Sequence, residues 1–170
     1  GPKERIAQLS IAFSDETTTT LVPNIHYPGQ GRATGLVGGA VHMIPLSADR
    51  GFIPDLSSIP RHVLRSAKIL VLNYPHNPTG AVIPDEALGA IVEIVDAHPT
   101  ARLLIDETYR EMRFGGPAPI AATRSERVIS ISSLSKADGL PGNRIGRLIT
   151  RDRAQFETGL AAKGQNHSHN

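Results

Sequence analysis

Short apolar segments and longer segments with helical periodicity follow one another along the carboxyl-terminal two thirds of the chain. The apolar segments span residues 68–73, 102–105, 128–131 and 147–150. Each has the length of a strand that is buried on both faces. Between the first two, an i, i+3, i+4, i+7 stripe predicts a helix that begins at Pro84 and ends at 98–99. The stripe consists of Leu88, Ile91, Val92 and Val95.

The amino-terminal third continues the same alternation. A helix is predicted to begin near Pro2, because proline is favoured in the first helical turn. Its apolar face would hold Ile6, Leu9, Ile11 and Phe13. Strands at 17–22 and 40–46 would flank a helix at 30–37, and 49–60 is turn-rich enough for a surface connection. With a last helix at 152–162, the pattern predicts an α/β fold, a three-layer α/β/α sandwich with a mainly parallel sheet.

Composition narrows the class of protein. The 170 residues are 39% hydrophobic and 20% charged, which is ordinary for a globular protein. A net charge of +2 is too small to indicate nucleic acid, and no apolar stretch approaches the roughly 20 residues of a membrane helix. The lack of cysteine fits a cytoplasmic protein. The chain opens Gly-Pro-Lys-Glu-Arg without a methionine, so a processed or cut fragment is expected.

Polar clusters follow three of the apolar strands directly. Residues 74–80 read Tyr-Pro-His-Asn-Pro-Thr-Gly, 106–109 read Asp-Glu-Thr-Tyr, and 132–136 read Ser-Ser-Leu-Ser-Lys. Ligands of parallel sheets bind beyond the carboxyl ends of the strands. One site could therefore collect all three clusters. Glu107 should not share it, because adjacent residues of a strand point to opposite faces.

Five ordered motifs resemble those of pyridoxal-phosphate-dependent aminotransferases of class I/II, fold type I. Ser133-Leu134-Ser135-Lys136, with Arg144 eight residues later, resembles the family's lysine signature. The others are Asn77-Pro78-Thr79-Gly80, Asp106-Glu107-Thr108-Tyr109, the aromatic loop from Val22-Pro23 to Tyr27-Pro28, and Gly1-Pro2-Lys3-Glu4, usually Gly-Ser-Lys-Glu in the family. The resemblance covers essentially the whole chain.

The resemblance implies a role for each motif residue. Lys136 would form a Schiff base with the aldehyde of pyridoxal 5'-phosphate and then act as general base at the substrate Cα. Asp106 would keep the pyridine nitrogen protonated, which makes the ring an electron sink. Asn77 and Tyr109 would bind the phenolic oxygen, and Tyr27 would stack on the ring. The phosphate would take donors from Arg144, Ser133, Ser135 and the backbone at Pro2 and Lys3, although Pro2 has no N–H to donate.

The same resemblance implies an aminotransferase that moves an amino group between an amino acid and a 2-keto acid. Residues 1–170 would be an incomplete cofactor-binding large domain that lacks the family's amino-terminal segment and carboxyl-terminal small domain. It implies amino-acid and keto-acid substrates and a homodimer. Neither a nucleic acid nor a membrane is expected as a partner.

Other interpretations stay open at this stage. The motifs also fit another pyridoxal-phosphate reaction, such as that of a C–S lyase, a decarboxylase, or an oxidase or cyclase. They also fit an inactive cofactor-binding fragment. Taken singly, Asp106 could cap a helix and Arg144 could pair with Asp138. Several further residues are expected to be solvated rather than functional: Arg110, Arg113, Arg124, Arg127, and the terminal His167 and His169. No metal site is predicted.

Overall fold

A computed structural model describes residues 1–164 and, within the last helix, the side chains up to Ala161. Six strands form one sheet in the order β2-β1-β3-β4-β5-β6. The strands are β1 Thr19–Pro23, β2 Ala40–Ile44, β3 Ala67–Asn73, β4 Arg102–Asp106, β5 Val128–Ser133 and β6 Gly146–Ile149. The first five strands are parallel to one another, and β6 runs antiparallel beside β5.

Helices cover both faces of this sheet, so the predicted three-layer α/β/α sandwich is confirmed. The helices are α1 Pro2–Phe13, α2 Arg32–Gly35, α3 Arg61–Ser66, α4 Asp85–Asp96 and α5 Arg153–Gly164. On one face, α1 lies against β3 and β5 and packs beside α2 and α5. On the other face, α4 and part of α3 complete a separate apolar core. Successive residues of a strand pack alternately in one core or the other, because their side chains point to opposite faces of the sheet.

Helix α4 follows the sequence pattern closely. It begins at Asp85, directly after Pro84, and its four predicted stripe residues are all buried. Helix α1 differs from expectation at one position. Ile6 and Leu9 are buried, whereas the side chain of Ile11 is 43% exposed. At about 100° per residue, Ile11 lies well away from the stripe that contains Ile6 and Leu9.

Three further expectations need correction. The helix predicted at 30–37 is a single turn, α2, and helix α3 was not predicted at all. The segment 49–60 is not purely a surface connection, because Leu56 and Ile59 are buried in the core below α4. Two apolar residues spaced by three in a turn-rich segment are too weak a signal for periodicity to detect.

A crevice is expected where the chain changes direction across the sheet. From β1 the chain leaves through α2 on one face, and from the adjacent β3 it leaves through α4 on the other face. The loops that follow β1 and β3 therefore diverge. Such a switch point is where parallel α/β sheets bind their ligands.

Candidate active site at the carboxyl edge of the sheet

A cavity of about 530 Å³ lies at this crevice. Its wall is built from the first turns of α1, the loop after β1, the loop after β3, the end of β4 and the loop between β5 and β6. The structure brings together all ten residues that the sequence singled out for one site: Pro2, Lys3, Tyr27, Asn77, Asp106, Tyr109, Ser133, Ser135, Lys136 and Arg144. The volume lies within the roughly 300–1,000 Å³ of small-molecule sites.

Two acidic side chains line the cavity: Glu4 in the first turn of α1, which is exposed, and the less exposed Asp106. Asp106 is the last residue of β4, in register with Asn73 at the end of β3. Its Oδ1 accepts hydrogen bonds from the Thr108 hydroxyl (2.5 Å) and the Thr108 N–H (3.0 Å). Burial raises the pKa of Asp106, and the Thr108 bonds oppose that rise only in part. A cation that reached this carboxylate from the cavity would be stabilised by it.

Hydrogen bonds of two asparagine side chains link the end of β3, the loop after it and the end of β4. The Asn73 side chain donates to the Asp106 carbonyl oxygen (2.9 Å) and accepts from the Asn77 N–H (2.9 Å). The Asn77 side chain donates to the Tyr109 hydroxyl oxygen (3.3 Å). Asn77 and Tyr109 therefore present neighbouring polar groups to one point of the cavity wall.

Lys136 lies in the loop after β5 and is exposed. Its Nζ lies over the Tyr109 ring, 6.0 Å from the ring centre. Ser133 and Ser135 precede it, and the Ser133 hydroxyl oxygen accepts from the Ser135 N–H (3.3 Å). The amine thus faces the cavity from the side of the two serines.

The cationic part of the cavity is formed by the amino-terminal end of α1 and by Arg144. Pro2 is the first residue of α1, and partial positive charge accumulates at such a helix end. Lys3 Nζ lies 5.6 Å from the centre of the Tyr27 ring. The Arg144 guanidinium reaches the backbone at Gly1 and donates to the Pro141 carbonyl oxygen (3.0 Å) rather than to Asp138. This corner could hold an anion such as a phosphate.

Several charged residues near the motifs lie outside the cavity. Glu107 is buried on the other face of the sheet, where it accepts from the Ala121 N–H (3.1 Å) and where burial raises its pKa. The arginines expected to be solvated are partly engaged with the protein. Arg110 donates to the Ala118 carbonyl oxygen, Arg124 to Asp85 and Arg127 to the Pro99 carbonyl oxygen, and Arg113 lies half-buried on the same side as Glu107.

The cavity residues that the sequence did not single out include Asn73, Thr108 and Gln30. Asn73 ends an apolar strand, and a buried amide in that position was a usable signal. Gln30 is 4% exposed, and within residues 1–164 its Oε1 has no hydrogen-bond partner. No sequence pattern marked it.

Neither a membrane span nor a metal cluster occurs in the described part of the chain. Residues 1–164 contain no helix that is both long and apolar enough to cross a membrane. They contain no group of three His, Cys, Asp or Glu side chains that could hold a metal. His167 and His169 lie outside the described residues.

Curated proteins of similar sequence are aminotransferases. The chain is 38% identical over 151 residues to the LL-diaminopimelate aminotransferase of Desulforudis audaxviator, and the match covers 86% of this chain and 38% of that protein. It is 36% identical over 169 residues to the LL-diaminopimelate aminotransferase of Gloeobacter violaceus, covering 97% of this chain and 42% of that protein. The chain therefore spans about two fifths of the length of these relatives.

Solved structures agree with the sequence comparison. A probable N-succinyldiaminopimelate aminotransferase from Thermus thermophilus superposes with a TM-score of 0.88 at 31% identity, over 97% of this chain and 45% of that one. The sequence profile of aminotransferase class I and II matches residues 1–163. The chain belongs to the class I and II aminotransferase family.

Proposed function

We propose that this chain is the cofactor-binding large domain of a pyridoxal-phosphate-dependent aminotransferase, and that the cavity described above holds the cofactor. The observation that carries the proposal is the convergence of an amine, a half-buried carboxylate, an amide–phenol pair and a cationic corner on one cavity. Each group matches a different part of pyridoxal 5'-phosphate.

The half-buried carboxylate of Asp106 supplies the test of fit. In residues 1–164 the only hydrogen bonds to the Asp106 side chain come from Thr108, although burial disfavours its charged form. A protonated pyridine nitrogen is the kind of partner that would compensate this desolvation. Arg144, Ser133, Ser135 and the start of α1 supply donors for a phosphate at the other end of the cavity.

When bound, the cofactor supplies an aldehyde carbon and a ring that accepts electron density from the substrate. Lys136 would hold that aldehyde through its amine, and the same amine would move the proton at the substrate Cα. Asp106 would keep the ring nitrogen protonated. Asn77 and Tyr109 would donate to the phenolic oxygen, and the Tyr27 side chain would contact the ring.

The reaction proposed for the whole protein is transfer of an amino group between an amino acid and a 2-keto acid. The relatives named for diaminopimelate make LL-diaminopimelate and its N-succinyl derivative the first amino donors to assay. We further propose a homodimer, because Phe114, Leu36 and Met43 expose large apolar side chains that a second copy could cover. A cytoplasmic location is part of the proposal, because amino acids and keto acids are interconverted there. Sedimentation of the purified protein tests the dimer, and cell fractionation tests the location.

The first experiment is a titration with pyridoxal phosphate. We expect an absorbance band near the edge of the visible range that borohydride makes permanent, and Lys136→Ala should abolish it. Lys68→Arg is the matched control, because Lys68 pairs with Asp15 far from the cavity. A reducible adduct that survives in Lys136→Ala would refute the assignment of Lys136. Release of ammonia or carbon dioxide in place of a keto acid would refute transamination.

A further inference from the structure

Two loops form opposite walls of the crevice between β1 and β3. The loop after β1 carries Tyr27, and the loop after β3 carries Asn77. The helices that follow these strands lie on opposite faces of the sheet, so the local chain direction pulls the two loops apart. A contact that joins the two loops is therefore needed to fix the distance between Tyr27 and Asn77.

His76 makes such a contact. Its side chain is 3% exposed and lies between the two loops. The ring Nε2 is 2.9 Å from the carbonyl oxygen of Ile25, two residues before Tyr27. The ring Nδ1 is 2.7 Å from the hydroxyl of Thr79, two residues after Asn77. Of these two bonds, the Nε2 bond alone crosses from one loop to the other.

The partners determine which nitrogen carries the proton. A carbonyl oxygen can only accept, so Nε2 must donate to Ile25. In a neutral ring Nδ1 then accepts from the Thr79 hydroxyl. The oxygen of that hydroxyl in turn accepts from the Ala81 N–H (3.3 Å). Burial lowers the pKa of His76; the bond to the Ile25 carbonyl oxygen opposes this in part, and the charge of His26 adds a smaller lowering, so the net direction is consistent with a neutral ring.

The rest of its loop is held firmly around His76. The backbone N–H of His76 donates to the Ala81 carbonyl oxygen (2.8 Å), and its own carbonyl oxygen accepts from the Gly80 N–H (2.8 Å). The ring also lies against Tyr74, with centroids 5.4 Å apart. The loop after β3 is thus a rigid base, and the Nε2 bond transmits its position to the loop after β1.

We propose that His76 is a positioning residue that holds the Tyr27 loop at a set distance from Asn77 through the Nε2 bond to Ile25. The inference rests on the proposed function, because it assigns Tyr27 and Asn77 to the same ligand. His76 itself does not line the cavity. It acts through the two loops that do.

Asparagine and glutamine separate this role from simple core packing. Glutamine places its amide nitrogen where His76 has Nε2, so His76→Gln keeps a donor for Ile25 and loses the contact with Thr79. Asparagine places its oxygen where His76 has Nδ1, so His76→Asn keeps the Thr79 contact and loses the bond between loops. Both variants bury one amide, and they differ chiefly in which contact survives.

We expect His76→Asn to raise the Kd for pyridoxal phosphate about tenfold, since one bond that orders the binding loop is lost. His76→Gln should stay within about threefold of the parent. In the absence of cofactor, amide hydrogen exchange of residues 24–30 should be faster in His76→Asn than in His76→Gln. The control pair is His98→Asn and His98→Gln, because His98 bonds to Ile94 of the helix just before it and does not line the cavity.

Equal exchange rates in the two His76 variants would overturn the proposal, and so would equal affinities. The exchange measurement needs no cofactor, so it tests the bond between loops even if Lys136→Ala were to refute the proposed function. Melting curves of both variants test whether each remains folded. If His76→Asn were unfolded, faster exchange at 24–30 in Thr79→Val, which keeps the Ile25 bond, would equally overturn the inference.

Discussion

Arg144 combines a proposed phosphate contact with a left-handed backbone, and the two properties can be separated by mutation. Its φ and ψ are 52° and 28°. This conformation costs an L-residue about 1–2 kcal/mol and costs glycine almost nothing. Backbone strain of this kind is often stored where a side chain must be aimed at a ligand. Arg144→Gly removes both the strain and the guanidinium, whereas Arg144→Ala removes the guanidinium alone.

The stability difference between these variants follows from the structure. The bond from the guanidinium to the Pro141 carbonyl oxygen is lost in both, so it cancels. Relief of about 1–2 kcal/mol favours glycine, and the larger entropy of its unfolded chain returns about 0.4–1 kcal/mol. We therefore expect Arg144→Gly to be more stable than Arg144→Ala by about 0.8 kcal/mol. For a chain of this size that is about 2–3 °C in Tm.

Cofactor affinity should respond differently. A charged hydrogen bond to phosphate contributes roughly 1.5–3 kcal/mol, so both variants should raise the Kd for pyridoxal phosphate roughly 10- to 100-fold. Urea unfolding measures the first effect, and an absorbance titration measures the second. Phe52, with a φ of 58° outside the cavity, provides the control: Phe52→Gly and Phe52→Ala should differ in stability with the same sign and leave the Kd unchanged.

Two results would refute this reasoning. If Arg144→Ala were at least as stable as Arg144→Gly, the backbone would not be strained at this position. If both variants kept the affinity of the parent, Arg144 would not contribute to the phosphate site.

Burial raises the pKa of Asp106 above its usual 3.8, so the folded chain holds a proton that the unfolded chain has lost, and stability falls as the pH rises through that interval. Asp106→Asn should therefore stabilise the cofactor-free chain by about 0.5–2 kcal/mol at neutral pH and by less at a pH of about 4, which thermal unfolding at the two pH values measures. The same variant should weaken cofactor binding at least about tenfold, which an absorbance titration measures. Glu107→Gln is the control, since Glu107 is buried outside the cavity. This variant should stabilise the chain similarly without changing the Kd for the cofactor. A changed Kd would contradict the separation of the two carboxyl groups. Leu9→Ala, at a fully buried position of α1, should cost about 2–5 kcal/mol in urea unfolding, against under about 1 kcal/mol for the exposed Ile11→Ala, and equal costs would contradict the packing of α1.

Local patterns were sufficient to predict that the candidate site residues line one cavity. Asp106 ends an apolar strand and Lys136 follows another, and the carboxyl ends of parallel strands meet at one edge, so strand order was not needed to bring them together. The opposite orientation of Glu107 also followed from the two-residue period of a strand. Helix α4 was predictable because its apolar stripe continues for more than two turns.

Local patterns failed where a contact joins distant segments. Nothing in the sequence near His76 indicates that its ring bonds to Ile25, 51 residues earlier. The bond exists because β1 and β3 are neighbours in the sheet although β2 lies between them in the chain. The same order buries Gln30 beside the cavity and brings Asn73 into register with Asp106.

The sequence by itself determined the class of fold, the family and the residue types available at the strand ends, because these depend on periodicity and short motifs. Only the tertiary structure decided the strand order, the antiparallel direction of β6, the left-handed backbone of Arg144 and the bridge made by His76. The physical reason is that hydrophobic periodicity records which face of an element is buried. It does not record which neighbour covers that face.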